Sequence, residues 1–272
     1  MYRAAGPVEL RPVGEVEFAN GVAAMAASGT YGKTRVCAGI VGHADLALGA
    51  AVEKVLEAMI EAGGGRFRGI RFITASHPDQ PAWGSPIIRP AGLLKDSRVR
   101  EGFARLAPLG LSFDAWMYHT QLADLLDLAR TFPATPITLD HVGGPIGLGP
   151  YAGKRDEVFT AWSGQIRALA ACPNVHIKLG GSACGCSGSA IIWANCRQSS
   201  EELAAAWRPF IETCIAAFGP ERAMFESNFP VDKGSCAYHV LWNALKRIAA
   251  GYSAAEKSAL FAGTAIKFYR LG

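Results

Sequence analysis

The ten residues from Pro136 to Pro145, PITLDHVGGP, join a short apolar run to an Asp-His pair and a Gly-Gly-Pro turn. The apolar run predicts a buried strand that ends at the pair. In parallel α/β sheets, working side chains collect at strand ends, because the strand holds them rigidly while the loop leaves them accessible. The stretch therefore predicts an α/β protein with Asp140 and His141 placed beside a pocket.

Five further apolar runs precede helical patterns, which gives six strand–helix units along the chain. Strands that alternate with helices of ten or more residues require parallel pairing, since a short turn cannot return the chain to the same end of a sheet. The predicted strands are 35–42, 68–73, 111–118, 136–141, 175–180 and 222–228. The predicted helices are 15–27, 45–62 with Asp45 as its cap, 96–107, 120–131, 154–171, 199–218 and 237–250.

Composition narrows the class of protein. The 272 residues are half hydrophobic, which suits one domain over 1–272. A net charge of +4 with no long run of like charges argues against a nucleic-acid partner, and no apolar stretch is long enough for a membrane span. We expect a cytoplasmic protein that binds a small molecule, with homo-oligomer formation left open. The odd count of seven cysteines favours free thiols.

Alternation along the strands predicts which polar side chains share a face. Charged groups inside an apolar strand cannot point into the layer between sheet and helices without a large desolvation cost, so they should meet one another or a ligand. The residues on these polar faces are Ser112, Asp114, Trp116 and Tyr118 on the third strand, His176 and Lys178 on the fifth, and Glu226 and Asn228 on the sixth.

Each candidate also has a structural explanation. Arg71 and Lys178 can anchor a substrate carboxylate, or Arg71 can form a buried ion pair with Asp114 or Glu226. His141 can serve an active site or bond the backbone of its glycine turn. His119 can instead cap the following helix, and His43 fits a capping or supporting position better than a catalytic one. The aromatic residues Trp116, Tyr118 and Phe229 can line a pocket or belong to the core.

Three segments carry a resemblance to a known family: FDAWMYHTQLADLLDLARTFPATPITLDHVGGPIG at 113–147, VHIKLGG at 175–181 and MFESNFPVDK at 224–233. With GIR at 69–71 upstream, their order and spacing resemble the amidohydrolase-related family of TIM-barrel hydrolases, in the branch of sugar-lactone and muconolactone hydrolases. The resemblance implies descent from a (β/α)8 barrel. It also implies hydrolysis of a lactone, amide or related carbonyl compound, with a divalent metal in some members and none in others.

The resemblance, together with the strand faces, gives a set of site residues. Water would attack the substrate carbonyl, with histidines polarising it or binding metal and acids moving protons. The catalytic candidates are His141, His119, Asn228, Asp232, Glu226 and Asp114; the substrate-binding candidates are Arg71, Trp116, Tyr118 and Lys178; and His141 is the candidate ligand of one Zn or Mn ion, with a metal-free site as the alternative.

The sequence departs from the family pattern in three places. No His-x-His pair is present, and the first two strands of the pattern are not recognisable, which predicts an N-terminally truncated, open barrel of six parallel units. Asn228 stands where relatives often carry an Asp, and a neutral amide cannot take a proton from water. The segment 182–198 is dissimilar, and a zinc site made from its Cys184, Cys186 and Cys196 is disfavoured by their spacing. A catalytically inactive barrel fragment and a metal-assisted decarboxylase are the alternative functions.

Overall fold

A computed structural model describes residues 1–83, 87, 89–181 and 198–271. Within these ranges, six parallel strands form one sheet and follow one another in chain order, which confirms the α/β class and the six predicted units. The strands are β1 (Ile40–Gly42), β2 (Phe67–Ile73), β3 (Ser112–Trp116), β4 (Ile137–Leu139), β5 (Val175–Leu179) and β6 (Ala223–Phe225).

Helices return the chain from the end of one strand to the start of the next. Their starts follow from ordinary capping chemistry: Ser199 accepts a hydrogen bond from the Glu202 amide while the Glu202 carboxylate accepts one from the Ser199 amide. The helices are α1 (Val13–Ala27), α2 (Val52–Ala62), α3 (Ser97–Phe103), α4 (Leu122–Thr131), α5 (Arg155–Ala170), α6 (Ser200–Phe218), α7 (Tyr238–Ile248), α8 (Ala254–Ser258) and α9 (Thr264–Tyr269).

The sheet register sets the site residues side by side. Arg71 on β2 is level with Asp114 on β3, which in turn is level with Thr138 on β4. Apolar side chains such as Phe113 and Ile177 are buried in the main core. β1 and β6 are the edges of the sheet, and no pairing joins them within the ranges that the structure describes. The described strands thus form the open arrangement that the sequence predicted.

Four predicted boundaries are wrong by three residues or more. The helix predicted at 45–62 begins as α2 only at Val52, after a short 3-10 helix over Leu46–Ala51 in which Gly49 has a φ of 63°. The strand predicted at 35–42 begins only at Ile40, because Cys37 adopts a left-handed backbone conformation with φ 53°. The strand predicted at 222–228 ends at Phe225, and the chain then turns through Asn228, whose φ is 51°. The helix predicted at 96–107 ends at Phe103. In each case, the local turn geometry overrides a run of residues that is apolar enough to continue the element.

Two other expectations concern thiols and membranes. Four cysteines are free thiols, as predicted: Cys37, Cys172, Cys214 and Cys236. Cys184, Cys186 and Cys196 lie outside the described residues, as does the dissimilar segment apart from Gln198. Among the helices that the structure describes, none has the length and apolar character needed to cross a bilayer.

A buried tryptophan supports the turn that follows β4. Trp162 on α5 is fully buried, and its indole Nε1 donates a 2.7 Å hydrogen bond to the carbonyl oxygen of Val142. Val142 has a φ of 48°, a conformation that a β-branched residue rarely adopts. Gly144 is required two residues later, because a Cβ there would lie 2.3 Å from the Met117 carbonyl oxygen. The turn next to His141 is therefore held from both sides.

Replacement of Trp162 by Phe tests this support. The Val142 carbonyl would lose its buried donor, so we expect the free energy of unfolding to fall by about 1–3 kcal/mol in urea denaturation. Trp242→Phe, at a half-buried indole on α7, is the matched control and should cost less. An equal loss of unfolding free energy in the two variants would show that the hydrogen bond to Val142 does not stabilise the protein.

Candidate active site

The centre of the site is a mostly buried lysine between two carboxylates. Lys178 on β5 places its Nζ 2.6 Å from Asp114 Oδ2 on β3 and 2.9 Å from Asp140 Oδ1, just after β4. Asp114 and Asp140 are almost completely buried. Three charges can leave water together because each cation–anion contact offsets part of the desolvation cost. The three residues thus tie the middle strands of the sheet to one another.

Lys178 is protonated in this arrangement. Burial alone lowers its pKa, but the carboxylates of Asp114 and Asp140 outweigh burial and raise the pKa well above its ordinary value. For Asp114, burial raises the pKa, while the Lys178 ammonium and the Tyr269 hydroxyl oppose that rise. Since two acids face one lysine, the ammonium is the charge that the site holds most firmly.

A His–Glu pair lies beside this cluster. His141 Nδ1 is 2.6 Å from Glu226 Oε1, and the His141 amide donates to the same oxygen at 3.1 Å. Arg71 Nη2 lies 3.0 Å from His141 Nε2. A guanidinium can only donate, so Nε2 is the acceptor and Nδ1 carries the proton of a neutral imidazole. His141 is therefore in the tautomer with a lone pair on Nε2, and a general base requires such a lone pair.

Glu226 is ionised. Burial raises its pKa, but His141, Lys178 and Arg71 together outweigh burial and lower the pKa to about 2. The Glu226 carboxylate accepts a hydrogen bond from the protonated Nδ1 of His141, which fixes the tautomer of the imidazole. It also stabilises the imidazolium that forms when Nε2 takes up a proton. The pair thus has the arrangement of a supported acid–base histidine.

The backbone presents the imidazole in one orientation. His141 adopts a φ of 56° at the start of its turn. Gly181, with φ 63°, leaves room for the ring, because a Cβ at this position would lie 2.4 Å from His141 Nδ1. The Trp116 ring meets the imidazole edge to face, with 4.7 Å between centroids. Trp116 thus packs directly against the His141 ring, and its predicted contact with a substrate stays a prediction.

Arg71 has a different partner from those predicted. Its Nε lies 3.2 Å from Asp140 Oδ2, so the expected alternative of an ion pair with Asp114 or Glu226 is wrong. The side chain is 37% exposed, which leaves it accessible to a ligand. His43 lies behind it, with Nδ1 3.3 Å from the Arg71 carbonyl oxygen and the ring stacked on Phe72. His43 supports the strand here.

His119 and Tyr118 lie to one side of this cluster. His119 Nδ1 accepts a 3.3 Å hydrogen bond from the Ile146 amide, and its ring meets Tyr151 edge to face. Burial lowers the pKa of His119 to about 4, so it is neutral near pH 7. Tyr118 is buried with Trp116 and Ile146, and burial raises its pKa to about 12. His119 therefore holds the loop that follows His141.

The side chains of Asn228 and Asp232 are hydrogen-bonded to each other. Asn228 Nδ2 donates a 2.7 Å hydrogen bond to Asp232 Oδ1, and Asp232 is fully buried just after β6. The Asp232 amide also donates to the Asn228 carbonyl oxygen at 3.1 Å. The two side chains fix the turn beyond Glu226, while the contact with His141 is made by Glu226 itself.

Sequence reasoning placed Asp140 beside the pocket without giving it a role, and it missed Tyr269. Asp140 was visible as the neighbour of His141, but alternation gave no role to a residue placed where the strand ends. Tyr269 on α9 donates its hydroxyl proton to Asp114 Oδ2 at 2.8 Å. The two residues are 155 positions apart, and no local pattern connects a tyrosine near the last residue with a strand in the middle of the chain.

The described donors do not fit a divalent metal. Asp114 and Asp140 converge on the Lys178 ammonium, and Glu226 converges on His141 Nδ1, so a metal ion would have to displace a cation or a proton. No group of three or more metal-binding side chains occurs in the part of the chain that the structure describes. The chemistry of the site is therefore derived from its side chains.

A parallel α/β sheet with a supported histidine at its carboxyl edge defines an arrangement typical of barrel enzymes. Residues 1–271 match the amidohydrolase family, and the chain belongs to that family. An uncharacterized protein of Sinorhizobium fredii is 36% identical over 96% of this chain and 76% of its own length. The L-fucono-1,5-lactonase of Burkholderia multivorans is 30% identical over 86% of this chain and 72% of its own length.

A solved structure agrees with this assignment. The crystal structure of an amidohydrolase from Burkholderia multivorans with bound zinc has a TM-score of 0.69 and 26% identity. The alignment covers 92% of this chain and 79% of the other. The resemblance noted in the sequence is thus confirmed at the level of family and fold.

The Glu226 pKa predicts how acid affects stability. A carboxyl group with a pKa depressed to about 2 contributes stability above its unfolded value of 4.5 and loses it as pH falls through about 2. At about 1.4 kcal/mol per pKa unit, the contribution is on the order of a few kcal/mol. Glu226→Gln should therefore flatten the loss of unfolding free energy between these pH values. Glu221→Gln is the control, and identical acid profiles for wild type and Glu226→Gln would contradict the assignment.

Proposed function

We propose that the protein is a hydrolase that opens a small lactone, or cleaves a related carbonyl compound, by attack of water. The observation that carries the proposal is the Glu226–His141 pair, in which an ionised carboxylate holds a neutral imidazole with its Nε2 lone pair facing Arg71. Ester and lactone hydrolysis needs a base for water and positive charge for the carbonyl oxygen. The site supplies both within one cluster.

The proposed reaction balances with these side chains. His141 Nε2 takes a proton from water as the water oxygen attacks the carbonyl carbon, and Glu226 stabilises the imidazolium that results. Collapse of the tetrahedral intermediate breaks the bond to the ring oxygen, which receives the proton back from Nε2. The product is a hydroxy acid whose new carboxyl group releases its proton to solvent, and Arg71 and Lys178 supply positive charge near the carboxylate that forms.

Arg71 must move for this chemistry, since it occupies Nε2 in the structure. Its exposure and its bond to Asp140 Oδ2 place it between the base and the open side of the site. A substrate oxyanion or carboxylate offers the guanidinium a better acceptor than a neutral imidazole nitrogen. Binding of such a substrate would therefore release Nε2 to water.

The relatives support a lactone as the first substrate to test. One relative is named L-fucono-1,5-lactonase, so L-fucono-1,5-lactone and simpler sugar lactones are suitable assay substrates. Proton release on ring opening gives a direct readout. Release of carbon dioxide from a carboxylated ring would favour the decarboxylase alternative, and no turnover of either class would favour an inactive barrel.

Replacement of the proposed base is the first test of the mechanism. His141→Ala should lower kcat/KM on a hydrolysed lactone by about a hundredfold or more, the usual scale for an acid–base group. His239→Ala, at an exposed position on α7, is the matched control and should retain full activity. Unchanged turnover in His141→Ala would leave the histidine a purely structural role.

The proposed anchor is tested separately. Arg71→Lys keeps the charge but loses the planar fork, so we expect KM to rise about tenfold for substrates that bear a carboxylate, with a smaller change for neutral lactones. Arg66→Lys, near the start of β2, is the control. An equal rise for charged and neutral substrates would contradict a role in recognising the anion.

A further inference from the structure

We infer that Tyr269, at the end of α9, is a positioning residue that acts on the site through Asp114 and Lys178. The inference rests on the proposed function of the same site. Tyr269 donates its hydroxyl proton to Asp114 Oδ2 at 2.8 Å, the oxygen that also lies 2.6 Å from Lys178 Nζ. Asp114 Oδ2 therefore accepts one hydrogen bond from Lys178 on the sheet and another from Tyr269 on the C-terminal helix.

Hydrogen bonds at both ends of α9 fix the position of the helix and so the position of Tyr269. Thr264 Oγ1, at its first residue, donates a 2.8 Å hydrogen bond to the Pro220 carbonyl oxygen. At its other end, Arg270 Nη2 donates to the Gly110 carbonyl oxygen at 2.9 Å, and Arg68 Nη2 donates to the Arg270 carbonyl oxygen at 3.3 Å. The helix is thereby fixed to β2, to the loop before β3 and to the turn before β6.

Two consecutive aromatic side chains of α9 meet the inward face of β5. Phe268 packs on His176, with 4.7 Å between ring centroids. The Tyr269 ring lies under the ammonium of Lys178, with 5.6 Å from Nζ to the ring centroid. Tyr269 thus contacts Lys178 by cation–π attraction and through their shared carboxylate oxygen.

Asp114 depends on these two donors. Its Oδ1 is buried without a hydrogen-bond partner among the described residues, so the bonds to Oδ2 carry the stabilisation of the carboxylate. The groups that face Lys178 are Asp114, Asp140, Glu226 and the Tyr269 hydroxyl, and those that face Asp114 are Lys178, Asp140 and Tyr269. Among the described residues, removal of the hydroxyl leaves Lys178 as the single donor to Oδ2 and favours the neutral carboxyl group.

The effect on Lys178 follows. A neutral Asp114 no longer holds the ammonium, which then either turns towards Asp140 alone or loses its proton more readily. Both outcomes weaken the positive charge that the proposed hydrolysis uses, while contacts with the bound substrate are left in place. We therefore expect a loss in kcat with little change in KM.

The test is Tyr269→Phe, with Tyr31→Phe at an exposed loop position as the matched control. We expect kcat on a hydrolysed lactone to fall about tenfold to a hundredfold, the range for a lost hydrogen bond to a charged group, with KM within about twofold. A loss of stability with unchanged kcat and pH profile would overturn the inference, because a purely structural tyrosine gives that result.

A second readout does not need activity. In protein labelled with 13C-lysine, the Lys178 resonance, identified by its loss in Lys178→Arg, should titrate at lower pH in Tyr269→Phe than in wild type. In the Asp114→Asn background, Tyr269→Phe should add no further shift. Failure to hydrolyse lactones would count against the proposed function alone, whereas an unchanged Lys178 titration would count against Tyr269.

If Tyr269→Phe does not fold, the contact is tested in wild-type protein labelled with 13C-tyrosine, by following the ionisation of the Tyr269 phenol. The Tyr269 phenol should stay protonated at a pH where free tyrosine in the same buffer is ionised, because burial and the nearby Asp114 raise the pKa of Tyr269 well above its ordinary value. Ionisation of Tyr269 at the same pH as free tyrosine would show that the bond to Asp114 is not formed.

Discussion

The ammonium of Lys178 between Asp114 and Asp140 is the contact on which the rest of the site depends. An unpaired charge at this depth would cost several kcal/mol, so each of the three residues requires the other two. Asp140 also holds Arg71, which reaches His141, and Asp114 holds Tyr269. Side chains from four neighbouring strands, β2 to β5, and from the C-terminal helix therefore form one connected network.

This network explains why the site works as an acid–base centre in our proposal. Glu226 remains ionised although it is largely shielded from solvent, since His141, Lys178 and Arg71 lower its pKa. The imidazole is left neutral because its two nitrogens have opposite partners, an acceptor at Nδ1 and a donor at Nε2. The cations Lys178 and Arg71 pair with the carboxylates of Asp114 and Asp140, so these acids are not left as anionic ligands for a divalent ion.

The sequence predicted the sheet and part of the site for a clear reason. Apolar runs and strand-end positions are local features, and they located β4, His141 and the polar faces of β3 and β5. Side-chain alternation also grouped Asp114 and Lys178 correctly as inward-facing residues. The partners of Asp140 and the contact of Tyr269 could not be predicted in this way, because Asp140 lies where alternation ends and Tyr269 meets Asp114 only through the packing of α9.

The protonation of His141 tests the account most directly. In protein labelled with 15N-histidine, the account predicts that at pH 7 the His141 resonances show a proton on Nδ1 and a bare Nε2, and that Glu226→Gln changes this pattern. A doubly protonated ring, or a proton on Nε2 with Nδ1 bare, would contradict it. Either result would mean that Arg71 does not donate to Nε2 and that the imidazole is not held ready as a base.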